Sequence, residues 1–276
     1  MSKVVGAWGR LLCLALAVSL LGGGCGRPAK KAPAERVALS IYLPCVISGP
    51  LRKVVSGYET VHPEVEVWTE TEKPLALVSQ ASGKQRRPAV VITMGEKEMG
   101  ALVHGGAVAP GSVRDIAVNT YPLAAIVPAK GSSSLRKLSD LASPAVKRIY
   151  LEDPAQSTLG DRAKRAFEQL GLWDRIAPKL VSFDPEENVL DQLLEGKAEA
   201  AVVFKDCLYA EGGAPPKTVR MLGELPSGGY APIIYQAAAI GTAPRPEVAQ
   251  EFVEYLISAG GREALQRVGL SPPRKP

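Results

Sequence analysis

The stretch Ala89-Val90-Val91-Ile92-Thr93 carries no charged side chain, and a segment with helical spacing follows it from Glu96 to His104. A short continuous run of apolar, mostly β-branched residues is typical of a strand that is covered on both faces in a parallel sheet. Parallel strands need a long crossover connection, which is usually a helix. This stretch therefore favours an α/β fold.

The same alternation continues outward from this stretch in both directions. Further strands are predicted over residues 37–43, 65–69, 121–127, 146–151, 181–183, 200–204 and 235–240. Further helices are predicted over residues 51–61, 76–82, 161–170, 189–195 and 246–258, and the Gly/Pro-rich residues 211–232 are predicted to be a loop. Strands that alternate with helices predict α/β architecture with parallel sheets. Trp68 and Trp173 are expected in the core.

The amino terminus has the pattern of an export signal over residues 1–24. Basic Lys3 and Arg10 precede an apolar and small-residue stretch from Leu11 to Leu21, which is too short to span a bilayer. Glycines and Cys25 follow as in a bacterial lipobox, so Cys25 is the predicted lipidation site. Residues 25–35 are predicted to be a flexible tether. The protein is therefore expected to be exported and lipid-anchored, in the periplasm or on the outer face of the cytoplasmic membrane.

The net charge of +5 belongs mainly to this amino-terminal segment. Residues 1–35 hold five basic side chains and one acid, which leaves +1 for residues 36–276. A nearly neutral domain lacks the concentrated basic surface of nucleic-acid-binding proteins, so no nucleic-acid partner is expected. The basic residues are Lys3, Arg10, Arg27, Lys30 and Lys31, and the acid is Glu35.

Common catalytic motifs are missing from the sequence. It has no Gly-x-Ser-x-Gly, Walker loop, His-Glu-x-x-His or Cys-x-x-Cys motif. With only two histidines, a Ser-His-Asp triad is not expected either. We therefore expect a binding protein without a cofactor rather than an enzyme.

Several short segments keep a fixed order and spacing from about residue 37 to 273. They include Tyr58-Glu59-Thr60-Val61-His62-Pro63, Pro88-Ala89-Val90-Val91-Ile92-Thr93, Leu170-Gly171-Leu172-Trp173, Glu187-Asn188-Val189 and Gly269-Leu270-Ser271-Pro272-Pro273. In this order the segments resemble the periplasmic solute-binding proteins of bacterial molybdate ABC transporters.

The resemblance implies an α/β, two-lobed periplasmic-binding-protein fold of type II. Each lobe would be a mainly parallel sheet flanked by helices, with the ligand cleft between the lobes. Residues 36–122 and 233–276 would form lobe one, and residues 123–232 would form lobe two. Such a protein is expected to be a monomer that closes by hinge motion on a small oxyanion, molybdate or tungstate. It would then hand this solute to ABC permease subunits.

The resemblance also places ligand-binding residues in lobe one, where the pocket has diverged. The family's first ligand loop falls on Cys45 and Val46, and Ser48 lies close enough to replace the missing hydroxyl. A second loop falls on Lys73 and Pro74, where both of the family's serines are absent.

In lobe two, the anion-binding helix of the family falls on Ser157, Thr158 and Leu159, which keep two hydroxyls and backbone N–H groups. The other two family ligands fall on Val189 and Phe204, and Phe204 replaces a tyrosine. Hydroxyls and helix N–H groups can bind an oxyanion without a countercharge.

Cys45, Met94 and Cys207 support an alternative, a soft-metal or metalloid site, because thiols and thioethers prefer such ions. Two other interpretations stay open. The cysteines could be buried small apolar residues with Met94 filling the core, or they could form a disulfide in the oxidising space outside the cytoplasm. A last alternative is a sensor lipoprotein that keeps the fold without transport.

Overall fold

The structure is a computed structural model and describes residues 36–83, 87–119, 121–131, 134–184, 187–212 and 216–273. The predicted signal peptide, the predicted tether and Cys25 lie outside the described residues. No helix within the described ranges has the length and apolar character needed to cross a bilayer.

The first sheet has mainly parallel strands. Its strands are β1 (Val37–Pro44), β2 (Val65–Glu72), β3 (Val90–Thr93), β4 (Arg114–Asn119) and β10 (Ile233–Ala239). They lie in the order β2-β1-β3-β10-β4. The first three pair in parallel, whereas β10 is antiparallel to both β3 and β4. Four strands therefore point the same way, and β10 points the opposite way.

Helices cover both faces of this sheet. They are α1 (Ser48–Val61), α2 (Pro74–Ser82), α3 (Glu96–His104), α7 (Pro246–Ile257) and α8 (Ala259–Arg267). Alternate residues of β1 separate the two faces, since Ile41 packs with Tyr58 and Phe252 of α1 and α7, whereas Tyr42 packs with Leu102 of α3. The sheet and its helices form the first lobe.

The second sheet repeats the same plan. Its strands are β5 (Leu123–Pro128), β6 (Ile149–Tyr150), β7 (Leu180–Val181), β8 (Ala200–Phe204) and β9 (Val219–Glu224), in the order β7-β6-β8-β5-β9. Only β5 runs against the other four. The helices are α4 (Thr158–Gln169), α5 (Trp173–Ile176) and α6 (Val189–Leu194). Together they form the second lobe, and the predicted two-lobed α/β fold is confirmed.

The structure corrects two features predicted from sequence. The segment predicted as a loop over residues 211–232 contains β9, whose hydrogen bonds to β5 outweigh the effect of the surrounding glycines and prolines. Trp68 is 59% exposed rather than in the core, because it lies on β2, an edge strand of the first sheet. Trp173 does pack partly buried against the main core.

Candidate functional site

The candidate site lies where parallel strands of both sheets end. Cys45 follows β1 and Gly95 comes shortly after β3, whereas Glu152 comes shortly after β6 and Cys207 shortly after β8. In open α/β sheets, ligands bind outside the carboxyl ends of the strands. Since contacts join these segments across the two lobes, this edge is the candidate ligand-binding site.

Cys45 and Cys207 form the first contact between the lobes. Their Sγ atoms are 3.8 Å apart, and both thiols are free and exposed. The interpretation as buried small apolar residues is therefore wrong. The separation is also well beyond the length of a disulfide bond, about 2.05 Å.

The pKa values of the two thiols are shifted in opposite directions. A hydrogen bond from Cys207 lowers the pKa of Cys45 to about 7, and the charge of Lys73 acts in the same direction, while partial loss of water around the thiol opposes both. The pKa of Cys207 rises, because loss of its proton would break the same hydrogen bond. The first proton that the pair loses therefore comes from Cys45, and the Cys207 thiol stabilises the resulting thiolate.

Glu98 and Thr158 form the second contact, at the amino terminus of α4. One Glu98 carboxylate oxygen accepts a hydrogen bond from the Thr158 backbone N–H at 2.8 Å, and the other accepts from the Thr158 hydroxyl. Glu98 belongs to α3 in the first lobe and is only 1% exposed. Its burial raises its pKa, against the opposing effect of the Thr158 hydrogen bonds.

Ser157 completes this helix terminus. Its hydroxyl oxygen accepts from the Gly160 N–H at 3.3 Å as the cap of α4, and its hydroxyl donates to Glu152. Burial raises the pKa of Glu152 to about 7, and the nearby charge of Glu98 contributes. Two carboxyl groups thus bind the Ser157 and Thr158 hydroxyls that the sequence predicts for a solute, and one of them also binds the Thr158 N–H.

The first turns of α3 and α4 face each other around this contact. Arg162, which is 5% exposed, pairs with Glu96 at 2.9 Å, and Lys97 lies 3.8 Å from Asp161. Both pairs join the two lobes.

The other predicted lobe-one residues lie near the thiol pair. Val46 packs partly buried against the core, and the Ser48 hydroxyl donates to the Cys45 carbonyl at 3.0 Å. Lys73 donates to the Glu187 carbonyl of the second lobe, and Pro74 begins α2.

The remaining predicted residues are mostly covered by protein. Leu159 and Phe204 are buried, with the Phe204 ring edge-on to Tyr121. Val189 begins α6, whose amino terminus is capped by the Asn188 side chain. Met94 is 1% exposed and packs in the main core.

The sequence did not identify Glu98 or Glu152 as site residues. A signal for Glu98 was present, because it lies beside Met99 and one turn before Leu102 on the buried stripe of α3. A carboxylate on an apolar stripe needs a buried partner. Within the described residues, no group of three or more His, Cys, Asp and Glu side chains is placed to hold a metal ion.

Comparisons with known proteins agree with this architecture. A family model described as "Bacterial extracellular solute-binding protein" matches residues 39–271. The Bacillus subtilis (strain 168) protein named "Putative ABC transporter substrate-binding lipoprotein YvgL" is 26% identical over 262 residues, 93% of this chain and 95% of YvgL.

Two molybdate-binding proteins are also similar. The molybdate-binding protein ModA of Escherichia coli (strain K12) is 24% identical over 124 residues, 45% of this chain and 46% of ModA. The solved structure of the Azotobacter vinelandii periplasmic molybdate-binding protein matches with a TM-score of 0.57 and 18% identity, over 86% of this chain and 100% of that one.

Proposed function

Because this chain belongs to the family of bacterial extracellular solute-binding proteins, we propose that it binds a small oxyanion, molybdate or tungstate, for an ABC importer. The lobes are residues 36–122 with 233–276 and residues 123–232, and the solute binds between them. The protein acts as a monomer, attached to the membrane through lipid on Cys25, and passes its solute to permease subunits.

The contact between Glu98 and α4 is the observation that carries this proposal. The Thr158 N–H and hydroxyl already bind two carboxylate oxygens there. The amino end of a helix attracts anions because its N–H groups are free and the helix dipole is positive there. A terminus that holds a carboxylate has the donors to hold a molybdate oxygen in its place.

The remaining ligand groups come from the other predicted residues. Cys45, Val46, Ser48, Lys73 and Pro74 approach from the first lobe. Ser157, Thr158, Leu159, Val189 and Phe204 approach from the second lobe. Lys73 is the cation among them, so the site relies mainly on neutral dipoles and selects by size and hydrogen bonding.

Isothermal titration calorimetry tests the proposed solute. Purified protein is titrated with molybdate, tungstate, sulfate and phosphate, and we expect molybdate and tungstate to bind more tightly than the other two. Thr158→Val, which removes the donor hydroxyl, should weaken binding, whereas Thr60→Val at an exposed position of α1 should not. Failure of all four anions to bind would overturn the oxyanion proposal.

Membrane fractionation tests the anchor separately. The wild type should sediment with membranes and incorporate labelled fatty acid, and Cys25→Ala should do neither. A wild-type protein that stays in the soluble fraction would contradict lipidation at Cys25 without bearing on the solute.

A soft-metal function is the second candidate, and the thiol separation favours it. Two ligands of a tetrahedral metal with bonds of about 2.3 Å are about 3.8 Å apart, which matches Sγ–Sγ 3.8 Å. The metal would take its other ligands from solvent, since Met94 lies in the core. Titration with Cd²⁺ should produce a thiolate charge-transfer band that Cys45→Ser and Cys207→Ser each abolish. No band with the reduced wild type would exclude this candidate.

A further inference from the structure

The Glu98 carboxylate occupies the part of α4 where the proposed function places the oxyanion. We propose that Glu98 is an internal ligand of the solute-free protein, which joins the two lobes and is displaced when an oxyanion binds. The displacement step rests on the proposed function, whereas the joining of the lobes does not.

The first argument is the pair of hydrogen bonds between Glu98 and Thr158. Glu98 presents two oxygens to one residue, Thr158, and receives both the backbone N–H at 2.8 Å and the hydroxyl. This is how a bound oxyanion would use the same group, with one oxygen on a helix N–H and another on a hydroxyl. Glu98 and Thr158 are each 1% exposed, so water does not compete for these donors. An anion that replaces Glu98 must therefore supply two acceptor oxygens of its own.

The second argument is the position of Glu98 at the contact between the two lobes. It comes from α3 of the first lobe and binds the second lobe 60 residues farther along the chain. The Glu96–Arg162 and Lys97–Asp161 pairs lie on the same two helix turns. Glu98 is therefore part of a continuous contact between the lobes, and it is the part that uses anion-binding donors.

The third argument is the presence of other carboxyl groups around the amino terminus of α4. Glu152 bonds to Ser157 beside the same helix terminus, and Glu96 lies on the same turn of α3. A dianion that arrived while Glu98 stayed in place would find the Thr158 donors occupied, and it would be repelled by any of these carboxyl groups in its ionised form. Like charges in a water-poor site repel strongly. Binding therefore requires Glu98 to leave, and this requirement lowers the affinity of the cleft.

Two readouts on the full chain test the inference. Hydrogen–deuterium exchange reports the protection of amides in residues 157–161 without solute. Calorimetry reports the molybdate affinity. Glu98→Ala should raise the exchange of these amides at least about tenfold. Glu98→Gln keeps the shape but offers Thr158 one acceptor oxygen in place of two, so it should bind α4 less strongly and molybdate at least about tenfold more tightly than wild type.

Glu247→Gln is the control. It removes one carboxylate charge at an exposed position of α7, outside the contact between α3 and α4, so it should change the molybdate affinity less than about threefold. Protection of β1 and β8 should stay as in wild type in every variant, which shows that the lobes remain folded. If Glu98→Ala destabilises the fold, Glu98→Gln supplies both readouts.

The outcomes separate the two claims. Unchanged exchange of residues 157–161 in Glu98→Ala, or molybdate binding by Glu98→Gln that is no tighter than wild type, would overturn the internal-ligand inference. If neither wild type nor Glu98→Gln binds any oxyanion while exchange still rises in Glu98→Ala, the proposed function and the displacement step fail, and the lobe contact through Glu98 stands.

Discussion

Gly95 lies so close to Thr158 that a Cβ atom on Gly95 would be 2.1 Å from the Thr158 hydroxyl oxygen. Gly95 also has φ of +150°, a conformation that residues with a side chain rarely adopt. The turn between β3 and α3 is therefore pressed directly against the first turn of α4. This approach brings Glu98, three residues later, within hydrogen-bonding distance of Thr158.

Gly95→Ala should lower the free energy of unfolding by about 1–3 kcal/mol, because it adds both backbone strain and a clash with Thr158. Gly100→Ala is the control, since a Cβ there meets nothing within 4 Å. In the interior of α3 it should instead stabilise by about 0.5–1 kcal/mol. Urea unfolding measures the free energy of unfolding of both variants. Equal stability of Gly95→Ala and Gly100→Ala would contradict the close approach of Gly95 to Thr158.

Alkylation of Cys45 should follow a pKa of about 7. Iodoacetamide reacts with the thiolate, so the rate at Cys45 should reach half its maximum near this pH. Cys207→Ala removes the donated hydrogen bond and should raise the midpoint by about one unit or more, towards the ordinary thiol value of about 8.5. Mass spectrometry of the labelled peptides assigns each rate to its cysteine. A wild-type midpoint above pH 8 would contradict the lowering of the Cys45 pKa by the hydrogen bond from Cys207.

Glu152 should make the protein less stable as pH rises from about 4.5 to about 7. Burial raises its pKa to about 7 in the folded chain, so the folded state holds a proton that the unfolded state has lost. The stabilisation is complete below the unfolded pKa and disappears as pH passes the folded one. The loss should be about 3 kcal/mol, since the pKa rises from 4.5 to about 7 and each pKa unit is worth about 1.4 kcal/mol.

Glu152→Gln should flatten this dependence, because its amide oxygen still accepts from Ser157 but carries no titrating proton. Glu247→Gln, at an exposed position, should leave the slope as in wild type. Thermal unfolding between pH 5 and pH 7 gives both slopes. Parallel curves for wild type and Glu152→Gln would contradict the assignment.

The sequence predicts the alternating fold well because buried parallel strands have a distinctive composition. It fails at β9, where Val219 to Glu224 is surrounded by glycine and proline and gains its strand only from pairing with β5. It also fails at α8, whose first three residues are Ala259, Gly260 and Gly261. In both segments, tertiary contacts outweigh weak local preferences.

The candidate site was predictable only in part. The resemblance placed Cys45, Cys207 and Thr158 at the cleft, and the structure brings the two thiols into contact. The partner of Thr158 was not predictable, because Glu98 reaches it through tertiary packing alone. An acid in the first turn of a helix ordinarily favours its own helix terminus, and no local pattern shows that Glu98 binds another one.

A crystal structure of the protein grown with molybdate tests the central claim most directly, with the anion located by the anomalous scattering of molybdenum. We predict one strong anomalous peak between the lobes, with a molybdate oxygen accepting from the Thr158 N–H and Glu98 moved away from α4. Glu98 still bound to Thr158, with no molybdenum beside α4, would contradict the claim.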